Sequence, residues 1–295
     1  MLPTVLSTVP KCLLFFIAVI LSQYKIECKS SLLDVTDPET WKRLAVERFS
    51  TFEQSLYYSS LKRPKNIILF IGDGMSLSTV TGARYLKAKK MNLFGGDVQL
   101  EWENWPVASL VRTFNSDRLT TDSGSAATAF MSGVKGPDGT VGITGTVKCC
   151  ECTELTEVER AKSSLMYASK AGFSTGIVTT TRVTHATPAA AYANILHRDW
   201  ESVGFIVIFR LEGLFAPSNM AYQLENQDQP SLADMTEATI KILSRNPKGF
   251  LLLVEGGRID HGHHVNQAHN NVVRIHPCSY RHRVLDEIQL NFDES

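Results

Sequence analysis

The chain of 295 residues is 43% hydrophobic and 20% charged, a balance that excludes a disordered tail or a fibre and fits one globular α/β unit with a sizeable core. Thirty Lys and Arg residues stand against thirty Asp and Glu, so no broad cationic face is implied and nucleic-acid binding through phosphate neutralisation has little support. Any phosphate the chain handles must be met locally.

At the N-terminus Lys11 precedes "CLLFFIAVIL", residues 12–21, and the polar "SQYKIECKS" follows. That apolar run is short for a bilayer span and fits the core of a signal peptide, with a buried strand or a signal anchor as the alternatives. Residues 1–28 are therefore set apart from the fold, and export to the extracellular space or the cell surface is expected.

The folded part begins with a polar, helical lead-in over 37–60. "NIILFIGDGM" reads as a buried strand closed by a glycine-flanked turn, and "SLSTVTGARYLKAKK" as the helix after it. A second helix is predicted over 155–170, where Leu155, Val158, Ala161, Leu165 and Ala168 recur at helical spacing. Gly172 closes it and the strand "STGIVTTT" follows. A third helix starts at Ser231, with Asp234 placed as in a capping box, and delivers the strand "GFLLLVEGG". Helices alternating with apolar strands predict a mostly parallel, doubly wound sheet with helices on both faces.

In such sheets ligands sit beyond the carboxyl ends of the strands, which is where the reactive side chains recur: Asp73 after the first strand, Thr184, His185 and Thr187 after the second, Glu255 and Asp260 after the third. Asp73 lies in "GDGMS", where Leu77 replaces the third glycine of a dinucleotide fingerprint, so it is either a turn aspartate or a metal ligand. "TTDSGSAATAF" sets Asp122 and Ser123 before small residues, reading either as a helix cap or as a nucleophile in the positive field of helix amides. In "RVTHATPAAAYANILHRDW", His185 and Thr187 read as loop residues or ligands. Arg198, on what reads as a following helix, is a surface charge or a planar phosphate clamp. In "VEGGRIDHGHHVN", Asp260 and His264 are i and i+4, one helical face able to share a zinc, and Glu255 suits magnesium. His261 and His263 fit a solvated loop.

Cysteines 149, 150 and 152 lack the second pair of a zinc finger, so disulfides are expected there without assignable partners.

Taken together, "NIILFIGDGMS", "TTDSGSAATAFMSGVKG", "GIVTTTRVTHATPAAAYA", "GLFAPSNMAYQLE" and "LSRNPKGFLLLVEGGRIDHGHHVNQAH" resemble the animal alkaline phosphatases, in particular the membrane-bound insect type. The resemblance covers most of 40–200 and 211–269 and implies a phosphate-monoester hydrolase with two zinc ions and one magnesium. It implies that Ser123 attacks phosphorus and that Asp122 orients Arg198 on the phosphoryl oxygens. Asp73, Thr187 and Glu255 then hold magnesium with His185 in its outer shell, Asp260 and His264 hold the first zinc, and Asp73 and Ser123 serve the second.

Against that family a long stretch after "HRDWES" is reduced to a few residues, and with it the partner expected for the cysteine region near 149. The similarity stops after "NQAH", leaving 29–269 as a partial domain and 270–295 as a divergent tail. The remaining zinc ligands and the C-terminal lipid-anchor signal of these homodimeric relatives have no counterpart there. The expectation is thus an alkaline phosphatase acting on small phosphate monoesters, with a secreted, phosphatase-like protein that binds metal or a partner without efficient turnover as the alternative.

Overall fold

The computed structural model describes residues 64–105, 107–151, 153–201, 213–225 and 228–267, with helical positions at 43, 46, 47, 49 and 50. The predicted signal segment, most of the lead-in, and the tail from 268 lie outside the described residues. Three strands, β1 (Ile67–Ile71), β2 (Ser174–Thr179) and β3 (Phe250–Glu255), form one parallel sheet in the order β1-β3-β2. Ile71, Glu255 and Thr179 sit side by side in the register, so all three strands end at one level. Whatever follows each strand is delivered to the same rim.

Among the described residues from 64 on there are six α-helices: α1 (Leu77–Met91), α2 (Ser123–Ser132), α3 (Ser164–Lys170), α4 (Ala186–Ala189), α5 (Leu232–Leu243) and α6 (Arg258–His264). The middle strand explains why both faces are covered. Phe250, Leu252 and Val254 point to one side and pack with Ile240 and Leu243 of α5, while Leu253 packs on the other with Met131 of α2 and Leu165 of α3. This is the period-2 alternation of a strand whose two faces are both apolar. The predicted doubly wound parallel architecture is therefore present, as a small three-stranded portion among the described residues.

Local signals account for the helix ends. Ser231 and Asp234 form the predicted capping box of α5, each side chain accepting from the other's backbone N–H. Asp122 caps α2 by accepting from the N–H groups of Gly124 and Ser125, and Gly133 ends the helix at φ 77°. The small residues of α2 have a packing reason: a Cβ on Gly124 would lie 2.6 Å from the Thr140 carbonyl. Ala127 is fully buried against Val141 and the alanines of α4 and its C-terminal extension.

Three expectations are corrected. The predicted 155–170 helix begins only at Ser164, because the Ser163 hydroxyl caps Met166 N–H and the preceding residues bridge instead to Ile143 and Gly142, leaving Val158 exposed. Arg198 lies on no helix; α4 stops at Ala189, and Arg198 N–H bonds to the Gly139 carbonyl in an irregular segment. β1 is not a buried strand but an edge strand among the described residues, with Ile67 and Phe70 49% and 42% exposed. Cys149 and Cys150 are bonded to each other; Cys152 lies outside the described residues.

Candidate functional site

The flush strand ends assemble the site. Asp73 leaves β1 in the turn completed by Gly74, whose φ of 64° suits glycine and where a Cβ would meet the Asp260 carboxylate at 2.6 Å. Ser123, the first residue of α2, donates its hydroxyl to Asp73 at 2.9 and 3.1 Å from the two carboxylate oxygens. Ser123 is not the cap of α2; Asp122 is, so the Ser123 side chain is free of a structural task on its own helix.

Asp122 turns the other way. It accepts from Ser125 Oγ (2.6 Å), from the N–H groups of Gly124, Ser125 and Gly139, and from Arg198 Nη1 (2.9 Å). Burial alone would raise its pKa, but the donors from Ser125, Gly124 and Gly139 outweigh that and hold it below the usual carboxylate value. It stays ionised and fixes the plane of Arg198, whose Nη2 also donates towards His185 Nε2 at 3.4 Å.

Glu255 is fully buried at the end of the central strand. Thr179 Oγ1 donates to its Oε2 at 2.5 Å, Thr181 does so at 3.3 Å, and Thr187 adds a third hydroxyl. Its Oε1 nevertheless has no hydrogen-bond partner among the described residues, and neither does the buried Nδ1 of His185. The ligand atoms of Asp73, His185 and Glu255 all lie within 4.8 Å of one another. Burial raises the Glu255 pKa to about 7 and, with the charge of Asp260, also raises that of Asp73. Burial first, and then the charge of Arg198, lowers His185 to about 4, so its ring is neutral at pH 7. Two carboxylates and a neutral imidazole, crowded and incompletely satisfied, are a donor set that a hard divalent cation would satisfy, so the residues fit such an ion.

Glu255 therefore yields a pH prediction. Its pKa is raised from 4.5 to about 7 in the fold, so the metal-free folded chain binds more protons than the unfolded one in that window. Its stabilising contribution is complete below the unfolded value and is lost as pH rises through 7, by on the order of 3 kcal/mol. Glu255→Gln should raise the melting temperature of the chelator-treated chain at pH 8 by roughly 5–10 °C, and should abolish any stabilisation by added magnesium. Melting curves with and without chelator at pH 5 and pH 8 check both signs.

Asp260 and His264 do share a helical face, on α6, with carboxylate and imidazole 3.2 Å apart. His261 and His263, expected in a loop, are on the same helix. His263 Nε2 bonds Thr79 Oγ1 at 2.9 Å, and His261 meets His185 edge-on at 5.4 Å between ring centres. Beside this cluster opens a cleft of about 680 Å³, lined among others by His185, Arg198, Tyr222, Arg258, His261 and His264. Several contributors to the site carry little signal in the sequence. Thr179 and Thr181 look like ordinary strand-end threonines. Glu201 holds Arg182 by two oxygens and accepts from Thr184, fixing the loop that carries His185. Only the clustering of hydroxyls at the strand end "TTT" hinted at this.

A sequence model of the alkaline phosphatase family matches residues 64–205 and 207–276. The tissue-nonspecific alkaline phosphatase of Gallus gallus is 33% identical over 336 aligned positions, which take in 82% of this chain and 64% of that protein. The chain thus spans just under two thirds of the length of the curated relatives it matches. Among solved structures, the alkaline phosphatase of the Antarctic bacterium TAB5 is 26% identical with a TM-score of 0.60, over 73% of this chain and 71% of its own. A variant of that enzyme, at 24% identity, TM-score 0.60 and coverage of 73% and 70%, has Mg bound in its M3 site.

Proposed function

We propose that this chain, which belongs to the alkaline phosphatase family, hydrolyses small phosphate monoesters through a phosphoserine at Ser123. The observation that carries the reading is the placement of Ser123 Oγ at the start of α2, 2.9 Å from Asp73 and next to an Asp122 that holds Arg198. The ester's phosphoryl oxygens lie against the fork of Arg198, whose planar donors suit a phosphate. Oγ attacks phosphorus, the Oγ–P bond forms, the P–O bond to the leaving group breaks, and the alcohol departs with a proton. A water then gives up a proton and forms the new P–O bond, Oγ–P breaks, Oγ takes up a proton to restore the serine, and inorganic phosphate leaves.

Asp73, Thr187 and Glu255, with His185 beside them, would hold magnesium. Asp260 and His264 would hold one zinc, and Asp73 and Ser123 would take part in a second. Bound there, these cations would supply Lewis acidity that stabilises the serine oxygen as it loses its proton and the oxygens around phosphorus. The protein's own contribution is to fix Oγ through Asp73, to fix the guanidinium through Asp122 and His185, and to keep the imidazole neutral. Export through residues 1–28 and a location outside the cell or on its surface complete the proposal. Among the described residues no helix is long and apolar enough to cross a membrane.

A second reading, metal binding with little turnover, draws on one observation. Among the described residues Asp260 and His264 are two ligands where a catalytic zinc takes three from the protein. Hydrolysis of p-nitrophenyl phosphate at alkaline pH, with zinc and magnesium added and then removed by chelator, tests both readings. Metal-dependent turnover, slower than that of a longer relative, is expected. No turnover, with metal still stabilising the fold, would favour the second reading.

A further inference from the structure

Beside the proposed phosphate clamp the cleft carries a second guanidinium that the reaction above does not use. Arg258 opens α6, and its backbone N–H donates to Thr180 Oγ1 at 3.3 Å, which ties the helix start to the end of β2. Its guanidinium carbon lies 4.0 Å from the centre of the Tyr222 ring, and Nη1 donates to His261 Nδ1 at 2.9 Å. Its Nε is buried without a hydrogen-bond partner among the described residues. Arg84, Arg182 and Arg198 are each held by a carboxylate, from Glu103, Glu201 and Asp122. Arg258 makes no ion pair among the described residues, although two carboxylates share its cleft, Asp260, which is turned to His264, and Glu225. The result is a planar cation with its face fixed by an aromatic ring and its charge not neutralised, a surface suited to an oxyanion.

The route between the two guanidiniums is continuous. Arg198 Nη2 meets His185 Nε2, His185 packs edge-on against His261, and His261 Nδ1 meets Arg258 Nη1. Two imidazoles therefore stand in the line of contacts from Arg198 to Arg258. Resting on the reading of Arg198 as the phosphate clamp, we infer that Arg258 and Tyr222 form a leaving-group subsite. It takes a second oxyanion, a carboxylate or a phosphate, carried several bonds from the phosphorus on the monoester's alcohol side. Arg258 is then a specificity residue: it selects monoesters whose alcohol carries a second oxyanion over those whose alcohol is uncharged, without touching the reacting atoms.

The test uses the full chain with zinc and magnesium and three non-hydrolysable probes measured by calorimetry: methylphosphonate, 3-phosphonopropionate and propane-1,3-diphosphonate. The two longer probes should bind about ten-fold tighter than methylphosphonate, the worth of one charge-assisted contact. Arg258→Gln should erase that gain while leaving methylphosphonate binding unchanged, and Arg258→Lys should restore part of it. A gain for only one of the longer probes supports the subsite and identifies its oxyanion. Equal binding of all three to the unmodified chain, or a gain that survives Arg258→Gln, overturns the subsite while leaving the clamp intact. Failure of methylphosphonate to bind at all would instead remove the clamp, and the subsite with it. Should Arg258→Gln not fold, Tyr222→Leu, which frees the guanidinium from its ring, must reduce the gain or the subsite is refuted.

Discussion

Replacing Ser123 with alanine is expected to lower phosphate-monoester turnover on the order of 10³-fold or more, because no second group can take over a covalent step. The structure makes this a clean substitution. The hydroxyl's hydrogen bonds go to Asp73, and the cap of α2 is the neighbouring Asp122, so helix and fold stay in place. The loss should appear in kcat, with inorganic phosphate still binding through Arg198. Steady-state kinetics beside a melting curve separate the two effects. An unchanged rate would mean that phosphorus is attacked by something else.

The second large effect is expected at Arg198. Arg198→Ala removes the planar donor pair that the proposed reaction sets against the phosphoryl oxygens, and a preorganised donor of this kind is worth about 10²–10³ in rate. Asp122 loses one partner but keeps Ser125 Oγ and the N–H groups of Gly124, Ser125 and Gly139, so its carboxylate remains satisfied. The cost should therefore fall on kcat/KM and on inhibition by phosphate, not on stability. Arg198→Lys should recover little, since an ammonium cannot bridge Asp122 and a phosphate in one plane. Asp122→Ala should behave differently, destabilising the fold by about 1–2 kcal/mol through loss of the α2 cap as well as weakening the clamp. Denaturant melts of the two variants distinguish a clamp from a structural pair.

Much of this was legible in the sequence because local and chemical signals coincide. Apolar runs that end in reactive side chains at three separate places, Asp73, then Thr184, His185 and Thr187, then Glu255, predicted three parallel strands feeding one rim, and the register of Ile71, Thr179 and Glu255 gives that rim. The Ser231 and Asp234 box is visible in the sequence because both partners lie within one turn. The errors came where tertiary contacts outweigh periodicity. The 155–170 pattern has helical spacing, yet Ala161 N–H is taken by the Gly142 carbonyl, so only the last two turns are helical. Arg198 lies in a stretch that reads as helical from sequence, whereas Asp122, far away in sequence, sets its position. Arg258 could not be read as a cleft residue, since nothing local reveals the Tyr222 ring beneath it.

The most direct test of the central claim is acid quenching of the chain with a ³²P-labelled phosphate monoester in zinc and magnesium, followed by peptide mapping. The label should be retained on the peptide bearing Ser123 and be absent from Ser123→Ala. Label on any other residue, or undiminished turnover with no trapped phosphoserine, would contradict the account.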